Sequence, residues 1–393
     1  MRCNHLDRAD VKGKRVLLRV DYNVPIKKGA VEENYKIKAS LETIRFLIYN
    51  DCTIVLATHL GRPEGKFKQE YSTKPLVSEL KKLLPNIKIN YLDDCIGKDI
   101  LARIEKGANR EIFLLENLRF YKEEENNDEL FAHSLAALAD VYVNDAFGVS
   151  HRKHASVYAI TEFLPSYAGF LLEKEIDNLS KALKARRPAI WILGGAKLDK
   201  IELLEQAFKK ADYILIGGAL AFAFMKAKGI PIGMSKTDVK SVHSAKKILR
   251  RKEAKKLILP RDFLATEKMV YSAKAKIVKY NEIDNKSICL DLGPETVKLF
   301  KQYLRKAHTI VWNGPLGYYE WAAFAYATKE IGRTLGNLTA VSIVGGGETA
   351  DAMIKFKLEH KVTHVSTGGG ASLEFLAGKK LPGIEALKRK VRK

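Results

Sequence analysis

Cysteine is scarce in this sequence, with four among 393 residues. Cys3, Cys52, Cys95 and Cys289 lie far apart, and no CxxC pair occurs. This spacing excludes both a zinc module built on paired cysteines and a disulfide framework. Because scattered thiols are typical of a reducing compartment, we expect an intracellular protein.

Long apolar runs are missing as well. The opening stretch, MRCNHLDRADVKGKR, is polar and lacks the apolar segment of a secretory signal. No uninterrupted apolar run approaches the roughly 20 residues that a membrane-spanning helix needs. The sequence therefore predicts a soluble, cytoplasmic protein without a membrane partner.

The P-loop motif GxxxxGK[ST] occurs nowhere, which excludes that class of nucleotide-binding protein. Residues 345–350, GGGETA, do satisfy the GxGxxA pattern of dinucleotide-binding proteins. The pattern is loose, and dinucleotide folds place it at the first βα turn, whereas here it falls late in the chain. A nicotinamide-dependent oxidoreductase is therefore our second hypothesis.

Acidic residues are too few to balance the basic ones: the chain has 46 Asp and Glu against 68 Lys and Arg, which gives a net charge of +22. Such a charge attracts nucleotides, phosphorylated metabolites, RNA and anionic membranes alike. Much of it lies in residues 244–256 and 378–393, and runs of this kind most often form a solvated basic face. A binder of nucleic acid or of an anionic surface stays an alternative, but the aromatic-rich motifs of RNA-binding proteins are absent, and we expect no specific nucleic-acid partner.

Short apolar runs recur along the chain, separated by longer amphipathic stretches. Continuous apolar strands that alternate with helical segments indicate parallel sheets covered on both faces, and hence an α/β protein. The runs are RVLLRV (15–20), CTIVLATH (52–59), EIFLLEN (111–117), VYVNDAF (141–147), AIWILGG (189–195), YILIGG (213–218), KLILP (256–260), ICLDLG (288–293), TIVWNG (309–314), VSIVGGG (341–347) and HVSTGGG (364–370).

Residues 168–188 lie between the two halves and have the pattern of a helix. Gly169 precedes this segment and Pro188 follows it. The segment either joins two domains or forms an ordinary crossover within one sheet, and periodicity does not distinguish the two. Its apolar positions recur at Leu172, Ile176, Leu179 and Leu183.

Basic side chains follow the predicted strands of the first half. Ligands of open α/β sheets bind beyond the carboxyl ends of the strands, and the planar fork of arginine suits phosphate and carboxylate. Several such groups at one edge would hold a small dianion. The candidates are Asp21, Asn23, His59, Arg62, Arg119 and Arg152.

The stretch VNDAFGVSHRKHAS places His151 and His154 three residues apart. A metal site would need further ligands, for which Asp140 and Asp145 are the nearby candidates. Arg152 and Lys153 stand between the histidines and would repel a cation. We therefore favour a packed or hydrogen-bonded role for His154.

Glycines and polar residues follow the predicted strands of the second half. Glycine lets a base or a phosphate approach the backbone closely, and the free N–H groups of a following helix favour anions. Each turn alone could be a tight strand–helix connection, but several at one sheet edge favour a nucleotide. These positions are Gly194, Gly195, Lys197, Lys200, Gly217, Gly218, Asn313, Gly317, Glu320, Gly345, Gly346, Gly347, Glu348, Thr349, Gly368, Gly369 and Gly370.

The chain resembles the phosphoglycerate kinase family over essentially its whole length, in motif order and spacing. The resemblance implies two Rossmann-like three-layer (αβα) domains with mainly parallel sheets, joined by a helix and separated by a cleft. The implied parts are an N-terminal phosphoglycerate-binding domain (1–168), a helix (169–187), a nucleotide-binding domain (188–372) and a tail that returns to the first domain (373–393). The matching stretches are RVDYNVP, HLGRP, LLENLRFYKEEE, VNDAFGVSHRKHAS, AGFLLEKEI, ILGGAK, DLGPET, VWNGPLGYYEW, VGGGETA and HVSTGGGASLE.

The resemblance also implies an activity. It is the reversible phosphoryl transfer between 1,3-bisphosphoglycerate and ADP that gives 3-phosphoglycerate and ATP. The nucleotide would carry Mg²⁺, the enzyme would be a monomer, and hinge closure would bring the substrates together for in-line transfer. No general base is needed, because the accepting carboxylate has a pKa of about 4 and is already ionised at pH 7.

Site residues follow from the resemblance by motif. Phosphoglycerate would be held by Asp21, Asn23, Lys36, His59, Arg62, Arg119 and Arg152. The nucleotide would be held by Gly194, Gly195, Lys197, Lys200, Gly217, Gly218, Asn313, Leu316, Glu320, Gly346, Gly347, Glu348 and Thr349, with Glu348 at the metal. The residues implied to act in catalysis are Lys36, Lys197, Lys200, Gly347 and Gly370.

The sequence departs from the family pattern at three places. Lys36 stands where the family has an arginine, and it keeps the charge but loses the fork. GGAKLDK is one residue shorter than the family's GGAKVxDK, which places Lys197 and Lys200 three apart instead of four. Glu348 replaces an aspartate at the metal side, where Mg²⁺ demands tight geometry. We expect weaker clamping of the transition state from the first change.

Overall fold

The computed structural model describes residues 4–195, 201–388 and 391. The chain folds into two compact units, Met1–Asp177 with Lys380–Lys393, and Asn178–Lys379. The last segment returns to the first unit, where the N–H of Gly383 donates to the carbonyl of Ser150 at 2.8 Å.

The first unit is built on one parallel sheet with the strand order β5-β6-β4-β1-β7-β8, while β2 and β3 form a small antiparallel hairpin. The strands are β1 (Arg15–Arg19), β2 (Ile26–Lys27), β3 (Ala30–Val31), β4 (Thr53–Ala57), β5 (Ile89–Tyr91), β6 (Ile112–Leu114), β7 (Val141–Asn144) and β8 (Ser166–Ala168). The helices are α1 (Tyr35–Ala39), α2 (Leu41–Tyr49), α3 (Leu76–Leu83), α4 (Lys98–Glu105), α5 (Lys122–Glu125), α6 (Glu129–Ala136) and the first half of α7 (Phe170–Leu183).

The second unit repeats this plan with a parallel sheet of order β11-β10-β9-β15-β16-β17. Its strands are β9 (Ala189–Leu193), β10 (Tyr213–Ile216), β11 (Leu257–Ile258), β12 (Asp262–Thr266), β13 (Lys276–Lys279), β14 (Ile288–Leu292), β15 (Thr309–Asn313), β16 (Val341–Gly345) and β17 (His364–Val365). Its helices are α8 (Ile201–Lys210), α9 (Leu220–Ala227), α10 (Val239–Leu249), α11 (Pro294–Leu304), α12 (Tyr326–Leu335), α13 (Gly347–Lys355) and α14 (Gly370–Leu376), while α15 (Pro382–Ala386) belongs to the first unit.

Three strands in the interior of the two sheets are buried at every position. This holds for all five residues of β4, β9 and β15. Because successive side chains of a strand point to opposite faces, complete burial requires cover on both faces. The prediction of an α/β fold with mainly parallel sheets is therefore confirmed.

One predicted strand was assigned to the wrong kind of sheet. The run ICLDLG forms β14, but β14 pairs antiparallel with β12 in a separate sheet of order β13-β12-β14. Its burial alternates at the start, with Ile288 and Leu290 only partly buried. A short apolar run does not reveal which partner it will pair with, and β12 and β13 carry no comparable apolar signal.

Helix α7 matches the spacing predicted for residues 168–188. Leu172, Ile176 and Leu179 are buried, while Leu183 is partly exposed. The division between the two units falls within this helix, after Asp177. At the start of the helix, the carboxylate of Asp145 accepts the N–H of Leu172 at 3.1 Å, which supplies a partner for one of the free N–H groups of the first turn.

The order of the strands fixes where each unit can bind a ligand. In the first unit the chain builds outward from β1 through β4 to β5 and β6, and then crosses to β7 on the other side of β1. In the second unit the same reversal occurs between β9 and β15. Open α/β sheets bind ligands beyond the carboxyl ends of the strands at such a reversal.

Candidate functional site

The loops that follow β1, β4 and β6 are tied together by hydrogen bonds. The side chain of Asn23 accepts the N–H of Gly61 at 2.9 Å, and Arg119 donates from Nη1 to the carbonyl of Gly61 at 2.8 Å. The side-chain amide of Asn117 donates to the carbonyl of Leu60 at 2.7 Å and accepts the N–H of Arg119 at 3.0 Å. The structure thus brings Asn23, the loop at Gly61 and Arg119 to one edge of the first sheet.

A buried arginine, Arg19, lies beneath this edge at the end of β1. It is completely buried, and its Nε donates to the hydroxyl of Ser156 at 2.8 Å. Its Nη1 donates to the carbonyl of Val20. The nearest carboxylate is that of Glu124, which is also completely buried and lies 3.8 Å from Arg19 Nη2.

Glu124 holds this network in place. Its two oxygens accept the hydroxyl of Ser156 at 2.6 Å and the N–H of Ser156 at 2.9 Å. Buried charges are tolerated only when they are paired and hydrogen-bonded. Glu124 therefore supplies the counter-charge that lets a guanidinium remain buried under the basic edge.

His59 and His154, which the sequence analysis assigned to this region, are neutral at physiological pH. Burial, with the positive charges of Arg19 and Arg119, holds the pKa of His59 well below its usual range. Burial and the same arginines lower the pKa of His154 to about 3. Arg19 Nη2 lies 3.3 Å from His59 Nδ1, and since a guanidinium only donates, that nitrogen must be the acceptor.

The positive charge of the edge is carried by the arginines and a lysine. Burial, followed by repulsion from Arg19 and Arg152, lowers the pKa of Arg119, while Glu125 at 3.3 Å opposes this shift. Arg152 is partly buried and donates to His151 Nε2 at 3.2 Å. Arg19, Arg119 and Arg152 together form what we call the basic cluster.

The remaining candidates of the first unit lie at the border of this cluster. Lys36, in the short helix α1, makes an ion pair of 3.2 Å with Asp21, and its charge contributes to the lowered pKa of His59. Arg62 is exposed, in the loop that follows β4. Asn23 is exposed as well.

The geometry around His151 and His154 offers no metal site. Asp140 pairs with Arg15 at 2.8 Å, and Asp145 caps α7, where burial raises its pKa to about 7. Among the residues that the structure describes, no three His, Cys, Asp or Glu side chains are grouped so that they could hold a metal ion.

In the second unit, glycines let the turns after β9, β10 and β15 approach one another. The N–H of Gly194 donates to the carbonyl of Asn313 at 2.8 Å, and that of Gly218 donates to the carbonyl of Leu316 at 3.0 Å. A Cβ atom on Gly194 would lie 2.2 Å from the carbonyl oxygen of Pro315. Gly218 has a φ of +57°, which side chains rarely adopt. Close backbone packing therefore requires these glycines.

Other residues that were predicted to bind the nucleotide lie beneath the same edge of the second sheet. Leu316 is completely buried, and a Cβ on Gly217 would meet its Cδ2 at 2.4 Å. The side chain of Asn313 donates to the carbonyl of Gly345 at 2.9 Å. The hydroxyl of Thr349, also buried, accepts the N–H of Gly314 at 2.7 Å. Thr349 thus anchors the turn after β15.

Exposed candidates lie at the start of α13. Gly346 has a φ of +93° and caps this helix, and nothing lies within 4 Å of where a Cβ on Gly347 would be. Glu348 and Glu320 are exposed. The carbonyl of Glu320, in the turn after β15, accepts a hydrogen bond from Lys355 Nζ at 2.9 Å.

The remaining predicted residues lie elsewhere. Gly370 begins α14, whereas Lys197 and Lys200 lie outside the described residues.

A magnesium ion that arrives with a nucleotide fits this arrangement. Mg²⁺ is commonly bound by one or two carboxylates and by substrate phosphates, and does not require a cage of protein ligands. Glu348 offers one exposed carboxylate beside the open space at Gly347.

Three residues that the sequence analysis did not single out support these edges, namely Arg19, Glu124 and Asp291. Arg19 and Asp291 could have been found, because each is a charged residue inside an apolar run. The carboxylate of Asp291 accepts the N–H groups of Leu292 at 2.9 Å and Ala327 at 3.0 Å. A Cβ on Gly317 would lie 2.0 Å from it, so Asp291 lies directly beneath the turn that carries Leu316.

Replacing Asp291 with asparagine should change the pH dependence of stability. Burial raises the pKa of Asp291 from 3.8 to about 8. The folded state therefore binds this proton more tightly than the unfolded state, and the group's contribution to stability is lost as pH rises from about 4 to 8. Asparagine does not titrate, so the Asp291→Asn variant should not lose this stability. The Tm of the variant minus the Tm of the wild type should therefore increase as pH rises across that range. Parallel Tm profiles would show that Asp291 does not titrate there.

No helix in the described ranges is both long and apolar enough to traverse a bilayer.

Comparison with known proteins identifies the family. The family model described as phosphoglycerate kinase matches residues 6–379. Among curated relatives, the phosphoglycerate kinase of Finegoldia magna is 45% identical over 383 residues, covering 96% of this chain and 97% of that protein. That of Moorella thermoacetica is 43% identical over 385 residues, covering 97% and 98%.

Solved structures point to the same family. The phosphoglycerate kinase of Coxiella burnetii superposes with a TM-score of 0.85 at 35% identity, covering 98% of this chain and 99% of that one. That of Pyrococcus horikoshii OT3 gives 0.88 at 32% identity, covering 98% of both chains. The chain belongs to the phosphoglycerate kinase family.

Proposed function

We propose that this chain transfers a phosphoryl group reversibly between 1,3-bisphosphoglycerate and ADP, giving 3-phosphoglycerate and ATP, with the phosphoglycerate bound at the basic cluster. The observation that carries this assignment is the pair of arginines at the carboxyl edge of the first sheet, Arg119 and Arg152, with Arg19 buried beneath this edge. A phosphate dianion is the ligand that such a set of guanidinium groups suits best.

The neutral histidines refine this assignment. A protonated His59 would add to the repulsion among the arginines, but burial keeps it neutral. A neutral imidazole can donate one hydrogen bond to a substrate oxygen without adding a charge. His59 Nδ1 accepts from Arg19, so its proton is on Nε2, which is the nitrogen free to donate.

We further propose that the nucleotide binds at the glycine-lined edge of the second unit. Gly194, Gly217 and Gly218 would let the adenosine approach the backbone, above the buried side chain of Leu316. The N–H groups at the start of α13 would face the phosphates. Glu348 would hold the Mg²⁺ that accompanies the nucleotide, and this ion would neutralise charge on the phosphates.

Chemistry at the acceptor needs no base from the protein. The acceptor is a carboxylate, which is ionised at pH 7 with a pKa of about 4. What remains is to bring two anions together and to neutralise the transferring group. We propose that hinge closure brings the two substrates into line, that the enzyme acts as a cytoplasmic monomer, and that the basic cluster and Lys36 lower the repulsion as the substrates meet.

A coupled assay tests the activity directly. Purified protein with ATP, Mg²⁺ and 3-phosphoglycerate should oxidise NADH through a 1,3-bisphosphoglycerate-dependent dehydrogenase. The Lys197→Ala variant provides the control, because this lysine is implied to meet the transferring phosphate. A wild-type rate no higher than that of Lys197→Ala would reject the proposed reaction.

Lys36→Arg should keep or raise kcat. Arginine preserves the ion pair with Asp21 and adds a planar fork that can bind two phosphate oxygens at once. Lys38→Arg is a matched control, because Lys38 belongs to the same helix but is exposed, and it should leave the rate unchanged. A large loss of activity in Lys36→Arg alone would show that Lys36 does not face the substrate.

Glu124→Gln should raise the KM for 3-phosphoglycerate about tenfold or more, which corresponds to about 1.4 kcal/mol. The variant leaves Arg19 buried without its counter-charge, so the basic cluster should loosen. Glu123→Gln, an exposed change in the same short helix, is the control and should keep the wild-type KM. Steady-state kinetics at saturating ATP measure both, and equal KM values would contradict the role of Glu124.

A further inference from the structure

The positive charge of the chain is divided unequally between the two units. Residues 178–379 hold 35 of the 68 basic residues and 18 of the 46 acidic ones, which gives this unit a net charge of +17. The rest of the chain carries only +5. The excess therefore lies mainly outside the unit that carries the basic cluster, so binding of phosphoglycerate does not account for it.

Much of this excess lies on one side of α10 and in the turn that follows it. Ser241, Ala245 and Ile248 are the buried positions of α10. Positions three and four residues apart share a face of a helix, so the cations between these positions lie on the other face. Six exposed cations make up what we call the basic stripe: Lys240, Lys246, Lys247, Arg250, Lys252 and Lys255.

Two neighbouring cations in the same segment, Arg251 and Lys256, have a structural role. Arg251 pairs with Glu205 and lies over the ring of Phe208 at 5.0 Å. Lys256 Nζ donates to the carbonyls of Phe208 at 2.7 Å and Ala211 at 2.8 Å. These two side chains fasten the segment to α8 and the residues that follow it.

The six residues of the basic stripe have no such role. Within the described part of the chain, none of them makes an ion pair within 4 Å or a side-chain hydrogen bond. From Lys240 to Arg250 the stripe extends for about 15 Å, at a rise of about 1.5 Å per residue. Asp238 interacts electrostatically with Lys240, but the cations of the stripe outnumber the nearby carboxylates, and such an excess of positive charge raises the local concentration of a polyanion.

We propose that the basic stripe binds the phosphodiester backbone of nucleic acid without sequence preference. Charge complementarity is the argument for a polyanion. Residues 240–255 contain no Phe, Tyr or Trp on which bases could stack, so the contacts should be mainly to phosphates.

An anionic membrane is the less suitable partner. Helices that lie on a membrane insert an apolar face into it. The apolar face of α10 is already buried in the protein, through Ala245 and Ile248. Val239, at the start of the helix, is its exposed large apolar residue, and one such side chain is a weak anchor.

The salt dependence of binding follows from the number of cations. For a single strand, log K falls with log salt by about 0.7 for each phosphate neutralised, so six contacts give a slope of about −4. Raising salt from about 50 to 200 mM should then weaken binding by a few hundredfold. Two RNA sequences of equal length should bind with the same affinity.

The test uses the full chain and fluorescence anisotropy of labelled 20-nucleotide RNA, with duplex DNA as a second arm. The triple variant Lys246→Gln, Lys247→Gln, Arg250→Gln should bind at least tenfold more weakly and show a salt slope smaller by about 2. The matched control, Lys274→Gln, Lys276→Gln, Lys279→Gln, removes three exposed charges from the same unit and should lose less than threefold. Kinase activity should be unchanged in both variants, which shows that they are folded.

Several results would overturn the proposal. These are no RNA binding at 50 mM salt, an equal loss of affinity in the two triple variants, or a strong preference between the two RNA sequences. Tighter binding to vesicles with anionic lipids than to RNA would also overturn it. Duplex DNA that binds with a steeper salt slope would support the proposal, because its phosphates are more densely spaced.

Discussion

The pairing of Arg19 with Glu124 beneath the first sheet's edge is the interaction on which the basic cluster depends. An arginine that is completely buried needs a counter-charge and hydrogen-bond acceptors, and Glu124, Ser156 and the carbonyl of Val20 provide them. The buried carboxylate offsets part of the repulsion that Arg119 would otherwise meet from Arg19. The site is therefore organised before any substrate arrives, which lowers the cost of binding a dianion.

The two units use one sheet plan for two kinds of chemistry. In each, the chain reverses direction across the sheet beside its first parallel strand, and the loops beyond that reversal form the candidate site. The first unit places guanidinium groups and neutral imidazoles there. The second unit places glycines there, which let the backbones pack closely. The neutral side chains of Asn313 and Thr349 hold the turns together through hydrogen bonds. Function thus differs through the loops while the sheets stay alike.

Much of this could be predicted from the sequence, because apolar runs that end in arginine or glycine indicate both a strand and the chemistry at its end. Glu124 was harder to find than Arg19. RVLLRV was interpreted only as a strand, and an acidic stretch such as KEEE is normally exposed, so nothing local indicated that its second glutamate would be buried. Pairing between distant strands was also hidden, as β14 shows, since partner choice depends on residues far away in the chain.

The proposed arrangement of charges can be tested with the histidines as sensors. NMR of protein labelled with ¹⁵N in its nine histidines, with His154→Gln used for assignment, reports the protonation of each ring. Because burial and the arginines lower the pKa of His154 to about 3, its imidazole should stay neutral down to about pH 4. The Glu124 carboxylate lies 3.7 Å from His154 Nδ1 and would favour a protonated ring. A His154 that becomes protonated between pH 6 and 7 would show that burial and the arginines do not outweigh this carboxylate, and would contradict this account.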